Sequence, residues 1–183
     1  MREPKYQWVD EKPLVYFVGL SAKPNCEHLD ADTRTGSIVE QIICRLPTVQ
    51  IVKTNLVKTP PLDSAGKLRY PNPDEMKLGW CELQNEINKS RPNLLVTLGQ
   101  QVSFFLRSQM GVQPIKPQLP SDFSHQSYLS QSAPHILSIH HPSFVYVYRR
   151  KNIDDYVENV VLSVSMLIFE SGNYPAKIGV LPN

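Results

Sequence analysis

Cysteine is scarce in this sequence, and its spacing excludes two common kinds of stabilising site. The 183 residues include three cysteines, Cys26, Cys44 and Cys81, and no two of them form a Cys-x-x-Cys pair. An odd number without paired spacing argues against a disulfide framework and against a zinc ribbon. We therefore expect reduced thiols in an intracellular protein, and no metal site.

Long apolar runs and glycine-rich nucleotide motifs are also missing. The N-terminal stretch "MREPKYQWVDEKP" is charged and has no apolar core, which argues against a signal peptide. The most apolar region, near 157–169, is interrupted by Glu158 and Asn159 and is typical of a packed helix rather than a membrane span. Neither a GxGxxG motif nor a Walker loop occurs. These absences predict a cytoplasmic protein that uses no organic cofactor and makes no membrane contact.

The total charge does not identify a partner. The formal net charge is +2 and the pI is near 8.4, which neither requires nor excludes nucleic acid, so the distribution of cations must decide. Three consecutive cations, Arg149 to Lys151, follow the segment "SIHHPSFVYVY" at 138–148. That segment combines two adjacent histidines with alternating aromatic and valine residues, and it is the most unusual stretch of the chain.

The periodicity of apolar residues predicts alternating strands and helices. Short β-rich runs indicate four strands, and stripes at helical spacing indicate four helices. This order is typical of a three-layer α/β/α fold with a central four-stranded parallel sheet, in a single domain over 1–183. The predicted strands are 13–20, 49–58, 92–99 and 135–141, the helices are 37–46, 74–90, 100–109 and 152–169, and the main loops are 21–36, 59–73 and 110–134.

Polar side chains follow the predicted strands where a parallel sheet places its ligands. In open α/β folds the site lies outside the carboxyl ends of the strands. Asp30 and Asp32 come after the first strand, Asn55 lies near the end of the second, and His141 follows the fourth. An amide, an imidazole and a carboxylate that share one cleft can bind the edge of a base and stabilise a developing anion.

Four sequence blocks, in order, carry a family resemblance. They are "VYFVGLSAKP" (15–24), "TNLVKTPP" (54–61) with "LRYPNPDE" (68–75), "RPNLLVTLGQQVSFFL" (91–106) and "IHHPSFVYVYRR" (139–150). Together they resemble the motifs of the uracil-DNA glycosylase superfamily, especially its small bacterial and archaeal branches. The resemblance implies that superfamily's fold and a monomeric enzyme that hydrolyses the N-glycosidic bond of a base flipped out of DNA.

The resemblance also implies a role for each matching residue. Asn55 reads the base, His141 donates a hydrogen bond to the base carbonyl, and the first-strand motif contributes to the base site through Gly19, Leu20 and Ser21. The remaining assignments concern DNA. Ser143 and the cations bind phosphates, and three residues form a wedge that enters the duplex; these DNA-contacting residues are Lys58, Ser143, Phe144, Val145, Tyr146, Arg149 and Arg150.

The sequence departs from the family pattern at several points. Gly19 is followed by Leu20, where members of the family often have an acid or amide, so the carboxylate is expected from the next loop, with Asp32 preferred and Asp30 second. No iron–sulfur cluster is predicted, because the paired N-terminal cysteines are missing. The usual stacking phenylalanine is absent as well, which leaves three candidate rings open: His28, Tyr16 and Tyr70. These changes favour a bulkier or modified pyrimidine as an alternative to uracil, in DNA repair or in defence against modified phage DNA.

Two rival functions remain on sequence grounds. The loss of the first-strand acid is compatible with a catalytically weak or inactive member of the fold that binds DNA without releasing a base. The strand–helix order alone is also compatible with a flavodoxin-like or other small nucleotide-binding protein.

Overall fold

The computed structural model describes residues 12–26, 28–112, 126–128 and 134–170. As far as residue 110 strands and helices alternate along the chain, as the periodicity predicts, and two strands followed by two α-helices come after that point. The prediction of a single domain over 1–183 extends beyond the described residues and stays a prediction. The strands are β1 (Leu14–Ser21), β2 (Gln50–Val57), β3 (Leu94–Leu98), β4 (Gln126–Tyr128) and β5 (His135–Ile139), and the helices are α1 (Arg34–Cys44), α2 (Pro73–Ser90), α3 (Gln100–Met110), α4 (Pro142–Tyr148) and α5 (Ile153–Glu170).

The strands form one sheet in the order β2-β1-β3-β5-β4. The first four are parallel, which confirms the predicted four-stranded parallel sheet. β4 pairs antiparallel with β5 and adds an edge that the sequence did not predict. Its three residues lie inside 110–134, which was predicted as a loop because it lacks any apolar alternation. The other residues of that loop, 113–125 and 129–133, lie outside the described residues.

Hydrophobic side chains cover both faces of the sheet and produce the three layers. β1 shows why, because Val15 and Phe17 project to one face while Tyr16 and Val18 project to the other. The first face packs under α1, α4 and α5, and the second packs under α2 and α3. All five residues of β3 are buried, as expected for a central parallel strand. The carboxyl ends of β1, β2, β3 and β5 therefore lie along one edge of a well-packed sheet.

The start of α1 brings the loop before it into close contact with the helix. Thr33 caps the helix, since its side-chain oxygen accepts a hydrogen bond from the Gly36 N–H at 3.0 Å. The helix therefore begins three residues before the predicted range of 37–46. A side chain at residue 36 would overlap the backbone carbonyl of Asp30, so glycine is required for this approach. The consequence is that Asp30 is fixed beside the first turn of α1.

The segment after β5 is a helix, and it carries the three residues predicted to form a DNA wedge. His141 caps α4 and Pro142 occupies its first turn, so local capping outweighs the strand-like alternation of Val and aromatic residues. Val145 is completely buried in the core, and its assignment as a DNA contact is wrong for that reason. Among the described residues, no helix has the length and apolar character needed to cross a membrane.

Candidate active site

A cavity of about 330 Å³ opens at the carboxyl ends of β1 and β2 and beside the start of α4. Its walls come from four segments that are far apart in the sequence. These are the end of β1 with the loop after it, the end of β2, the loop before α2, and the cap of α4. Asn55 and His141, which the sequence placed on different strands, both line this cavity.

Asn55 is held in a single orientation. Its residue is only 3% exposed, and it pairs across the sheet with Gly19 of β1. Any side chain at residue 19 would overlap the Asn55 Oδ1 atom, so glycine makes room for the amide. On its other side the Asn55 Nδ2 atom lies 2.9 Å from Nδ1 of His28. An amide has donors to spare after one such bond, and the fixed group can still recognise a ligand.

His141 is held as a neutral imidazole with a defined tautomer. The backbone N–H of Ser143 can only donate, and it lies 3.2 Å from His141 Nδ1, so this nitrogen is an acceptor. The Ser143 hydroxyl lies 2.7 Å from the same nitrogen and donates to it. The ring proton of neutral His141 is consequently on Nε2. Burial, and then the positive charge of Lys23, hold the pKa of His141 below its ordinary value of 6.5.

The neighbouring β3–α3 turn lies close to the Cβ atom of His141. Gly99 has φ of +95°, a conformation that L-residues with side chains rarely adopt. A Cβ atom at residue 99 would lie 3.2 Å from the Cβ of His141, so the β3–α3 turn packs closely against the histidine. Tyr156 supports the same region, because its hydroxyl donates to the carbonyl of His140 at 2.5 Å.

The amino-acid sequence matches the model of a known protein family. The model of the Uracil DNA glycosylase superfamily matches residues 13–163. The chain belongs to this superfamily. A search of curated proteins found no match.

Only one of the two aspartates predicted for this superfamily member reaches the cavity. Asp30 lines it, and its Oδ1 atom accepts a hydrogen bond from the Asp32 N–H at 3.0 Å. Asp32 is exposed and is not among the cavity-lining residues. The sequence-based preference for Asp32 rested on its distance from the helix start along the chain. In the fold, the Thr33 cap and the close contact at Gly36 bring Asp30, rather than Asp32, beside the start of α1.

Of the three rings left open by the sequence, Tyr70 lines the cavity. It is 72% exposed and extends from the loop before α2. Tyr16 is buried on the α2–α3 side of the sheet, where its hydroxyl donates to Ser90 Oγ at 2.9 Å. His28 contacts Asn55 and lines an adjacent cavity rather than this one.

The loop that carries Tyr70 is anchored by a cluster that the sequence analysis missed. Arg69 forms two 2.8 Å hydrogen bonds with the carboxylate of Glu75, and it also donates to the carbonyls of Leu62 and Tyr70. Glu75 belongs to a capping box with Asn72 at the start of α2. The Arg69 guanidinium and the Asn72 N–H lower the pKa of Glu75 to about 2. The signal was present as the Asn-x-x-Glu spacing of a capping box, preceded by an arginine.

The residues predicted to contact DNA lie in different surroundings. Lys58 forms an ion pair with Glu86 of α2, so its charge is already engaged. The hydroxyl of Ser143 bonds His141, as described above. Phe144 is 45% exposed, and its ring stacks on His140 with 6.1 Å between ring centroids. Arg149 and Arg150 are exposed at the end of α4.

The base-site residues predicted from the first strand are all near the cavity. Gly19, Leu20 and Ser21 line it, together with several residues that the sequence analysis did not select. These additional lining residues have polar or charged side chains and come from the two loops and the first turn of α1: Lys23, Cys26, Thr33, Thr35 and Arg69. Among the described residues, no group of three His, Cys, Asp or Glu side chains is arranged to hold a metal ion.

Proposed function

We propose that this chain is a DNA glycosylase that releases uracil or a modified pyrimidine from DNA and leaves an abasic site. The superfamily takes its name from glycosylases that act on DNA, and membership supports DNA as the partner. One observation carries the proposal: the Asn55 amide and the neutral imidazole of His141 line the same cavity. Because a base inside a duplex is inaccessible, the target nucleotide has to turn out of the stack to reach this cavity.

The proposed role of Asn55 and His141 is to bind the base and stabilise its negative charge as it leaves. The Asn55 amide bonds the polar edge of the pyrimidine. The Nε2–H of His141 donates to a base carbonyl, where charge accumulates as the C1′–N bond breaks. By analogy with other preorganised donors, each such bond contributes roughly 2.7–4 kcal/mol to the transition state. A neutral histidine can supply this donor without first losing a proton.

The proposed role of Asp30 is to act on the sugar side of the reaction. The glycosidic electron pair leaves with the base, and the sugar becomes oxocarbenium-like. A water molecule then attacks C1′ and gives one proton to the carboxylate, which leaves a hydroxyl on the sugar, and that proton finally neutralises the released base anion. A carboxylate near this centre stabilises the positive charge and orients the water. Asp30 is our candidate because it lines the cavity, whereas Asp32 does not.

Two features favour a pyrimidine that is larger than uracil. The ring on the cavity wall, Tyr70, comes from a loop and is mostly exposed, so it does not close the site tightly. Beyond His141 a second space of about 640 Å³ adjoins the first and shares Leu20, Tyr70, His141 and Ser143 with it. A substituent on the base can extend into this space without displacing Asn55.

The test is a panel of oligonucleotides containing uracil, hydroxymethyluracil, hypoxanthine or glycosylated hydroxymethylcytosine, single-stranded and double-stranded, scored for abasic sites. We expect release of at least one pyrimidine. His141→Ala and Asp30→Asn should each lower the rate by at least about 100-fold, the scale of a lost general acid–base or oxyanion group. Asp32→Asn is the matched control, and its activity should stay near that of the unmodified protein. If no substrate yields abasic sites, the proposal fails.

A DNA-binding member without glycosylase activity is the second candidate. The supporting observation is that the acid often found next to the first-strand glycine is replaced by Leu20, while the nearby Asp30 already bonds the Asp32 N–H. This candidate predicts salt-dependent DNA binding with no abasic product from any member of the panel. The same panel, combined with a binding assay, separates the two.

A further inference from the structure

Two arginines from different parts of the chain both place their guanidinium groups over the ring of Tyr146. The guanidinium carbon of Arg34 lies 5.6 Å from the ring centroid of Tyr146, and that of Arg150 lies 5.3 Å from the same centroid. The two carbons are therefore at most about 11 Å apart, the sum of these distances. In the described part of the chain, neither guanidinium takes part in an ion pair.

This arrangement concentrates positive charge where the fold already favours an anion. Arg34 is the first residue of α1, and the first turn of this helix contains no acidic residue. The amino end of a helix carries partial positive charge, so a cation there is unfavourable unless an anion is bound nearby. Two guanidinium groups held near each other also repel. Negative charge beside them would relieve both effects.

Tyr146 holds the two arginines in place. Its ring is partly buried and packs against the hydrophobic core, so it forms a fixed surface rather than a free side chain. A guanidinium group over an aromatic face is attracted to it and keeps its hydrogen-bond donors at the edge available. We therefore assign Tyr146 a role in alignment, in place of the duplex wedge predicted from the sequence.

The pair belongs to segments whose neighbouring residues line the base cavity. Arg34 stands between Thr33 and Thr35, both of which line that cavity, and Tyr146 is on the same short helix as Ser143, another lining residue. A nucleotide with its base in the cavity has its sugar at the opening and its phosphates outside. An anion bound by the two arginines would occupy that outer position.

The family resemblance already implies a phosphate contact for Arg150. We propose that Arg34 joins it, with Tyr146 aligning both, in a clamp for phosphodiester groups of the DNA strand that flank the extruded nucleotide. The planar fork of arginine matches two phosphate oxygens at once, which suits it to this ligand. The proposal rests on the proposed function for the position of the strand, but the clamp itself needs no excision. It can therefore be tested apart from catalysis.

The test measures binding of a fluorescently labelled, unmodified single-stranded DNA by anisotropy at several sodium chloride concentrations. For single strands the slope of log K against log salt is about −0.7 for each phosphate neutralised. We expect Arg34→Gln and Arg150→Gln each to make the slope shallower by about this amount and to weaken binding at low salt. Arg45→Gln, which changes an exposed arginine at the other end of α1, is the control and should leave the slope unchanged.

Variants of Tyr146 separate alignment from net charge. Tyr146→Leu keeps every cation but removes the aromatic face, and it should weaken binding about as much as the loss of one arginine. Tyr146→Phe keeps the face and should bind like the unmodified protein. Thermal unfolding verifies that each variant is folded. An equal slope for Arg34→Gln, Arg150→Gln and Arg45→Gln would overturn the clamp.

Two further results fix what the clamp binds and keep it separate from the glycosylase proposal. Inorganic phosphate added at constant ionic strength should not displace the DNA. If it does so in the unmodified protein but not in Arg34→Gln, the site takes free phosphate and the strand assignment is wrong. A changed slope together with an inactive substrate panel would support the clamp and refute the enzyme. Activity with an unchanged slope would support the enzyme and refute the clamp.

Discussion

At the scale of single residues, the site depends on which atom of a side chain is already engaged. The Asn55 amide nitrogen forms a hydrogen bond with His28, and one ring nitrogen of His141 accepts a hydrogen bond from Ser143. The atom that remains is thereby defined, and for His141 it is the Nε2–H donor. This preorganisation means that the groups need little rearrangement when charge develops on a base.

The hydroxyl of Ser143 should set the pH range of the site. It donates to Nδ1 of His141 and so stabilises the neutral ring. Ser143→Ala removes this bond, and we expect the pKa of His141 to rise, because the neutral ring loses a hydrogen bond that the protonated ring cannot accept. The acid side of the pH–kcat/KM profile should move upwards by the same amount. An NMR titration of the His141 ring measures the shift even without activity.

A matched control for Ser143→Ala is Ser37→Ala on α1. The Ser37 hydroxyl donates to the carbonyl of Arg34 and does not bond His141. It should leave the His141 titration unchanged. An identical titration for both variants would mean that the Ser143 hydroxyl has no influence on the imidazole.

At the scale of elements, the loop before α2 determines what closes the cavity. Leu68, Arg69 and Tyr70 all line the cavity, and the loop is tied to α2 through Arg69 and Glu75. Such an anchored loop can hold a ring at the opening without burying it. The chemistry at the base of the cavity and the access to it are therefore controlled by different parts of the chain.

Loosening this anchor should affect substrate binding more than catalysis. Glu75→Gln removes the anionic partner of Arg69 and weakens the capping box. We expect KM to rise by roughly three- to tenfold with a smaller change in kcat, because Tyr70 is not one of the groups that stabilise leaving charge. Asp74→Asn is the control, since it removes the same charge from the same helical turn at an exposed site. Equal effects in both variants would contradict a role for the loop anchor.

The elements also show what could be foreseen from the sequence. Continuous apolar runs predicted the parallel strands, and the rule that their carboxyl ends meet brought Asn55 and His141 together. The sequence could not rank Asp30 above Asp32, because that choice depends on a cap at Thr33 and a close contact at Gly36. It did not predict α4 either, where the cap at His141 and the burial of Val145 together outweigh the β propensity of alternating valine and aromatic residues.

At the scale of the whole molecule, two kinds of ionisable group couple folding to pH. Burial lowers the pKa of both His135 and His141 below 6.5. Protons therefore bind the unfolded chain more strongly than the folded one as the pH falls through 6.5, and folding becomes less favourable. Glu75 behaves differently, since its pKa is lowered from 4.5 to about 2. Its stabilising contribution is present above 4.5 and is lost as the pH falls towards 2.

Thermal unfolding across pH should resolve these two windows. We expect Tm to fall between about pH 7 and pH 5.5 in the unmodified protein, and the His135→Gln/His141→Gln double variant to show a much smaller fall there. Glu75→Gln should keep that first fall but flatten the profile below about pH 4.5, so each variant serves as the control for the other. The Tm falls on acidification because the unfolded chain binds protons at these histidines more strongly than the folded one. A Tm that rises on acidification from pH 7 would mean that the two histidines gain, rather than lose, proton affinity on folding.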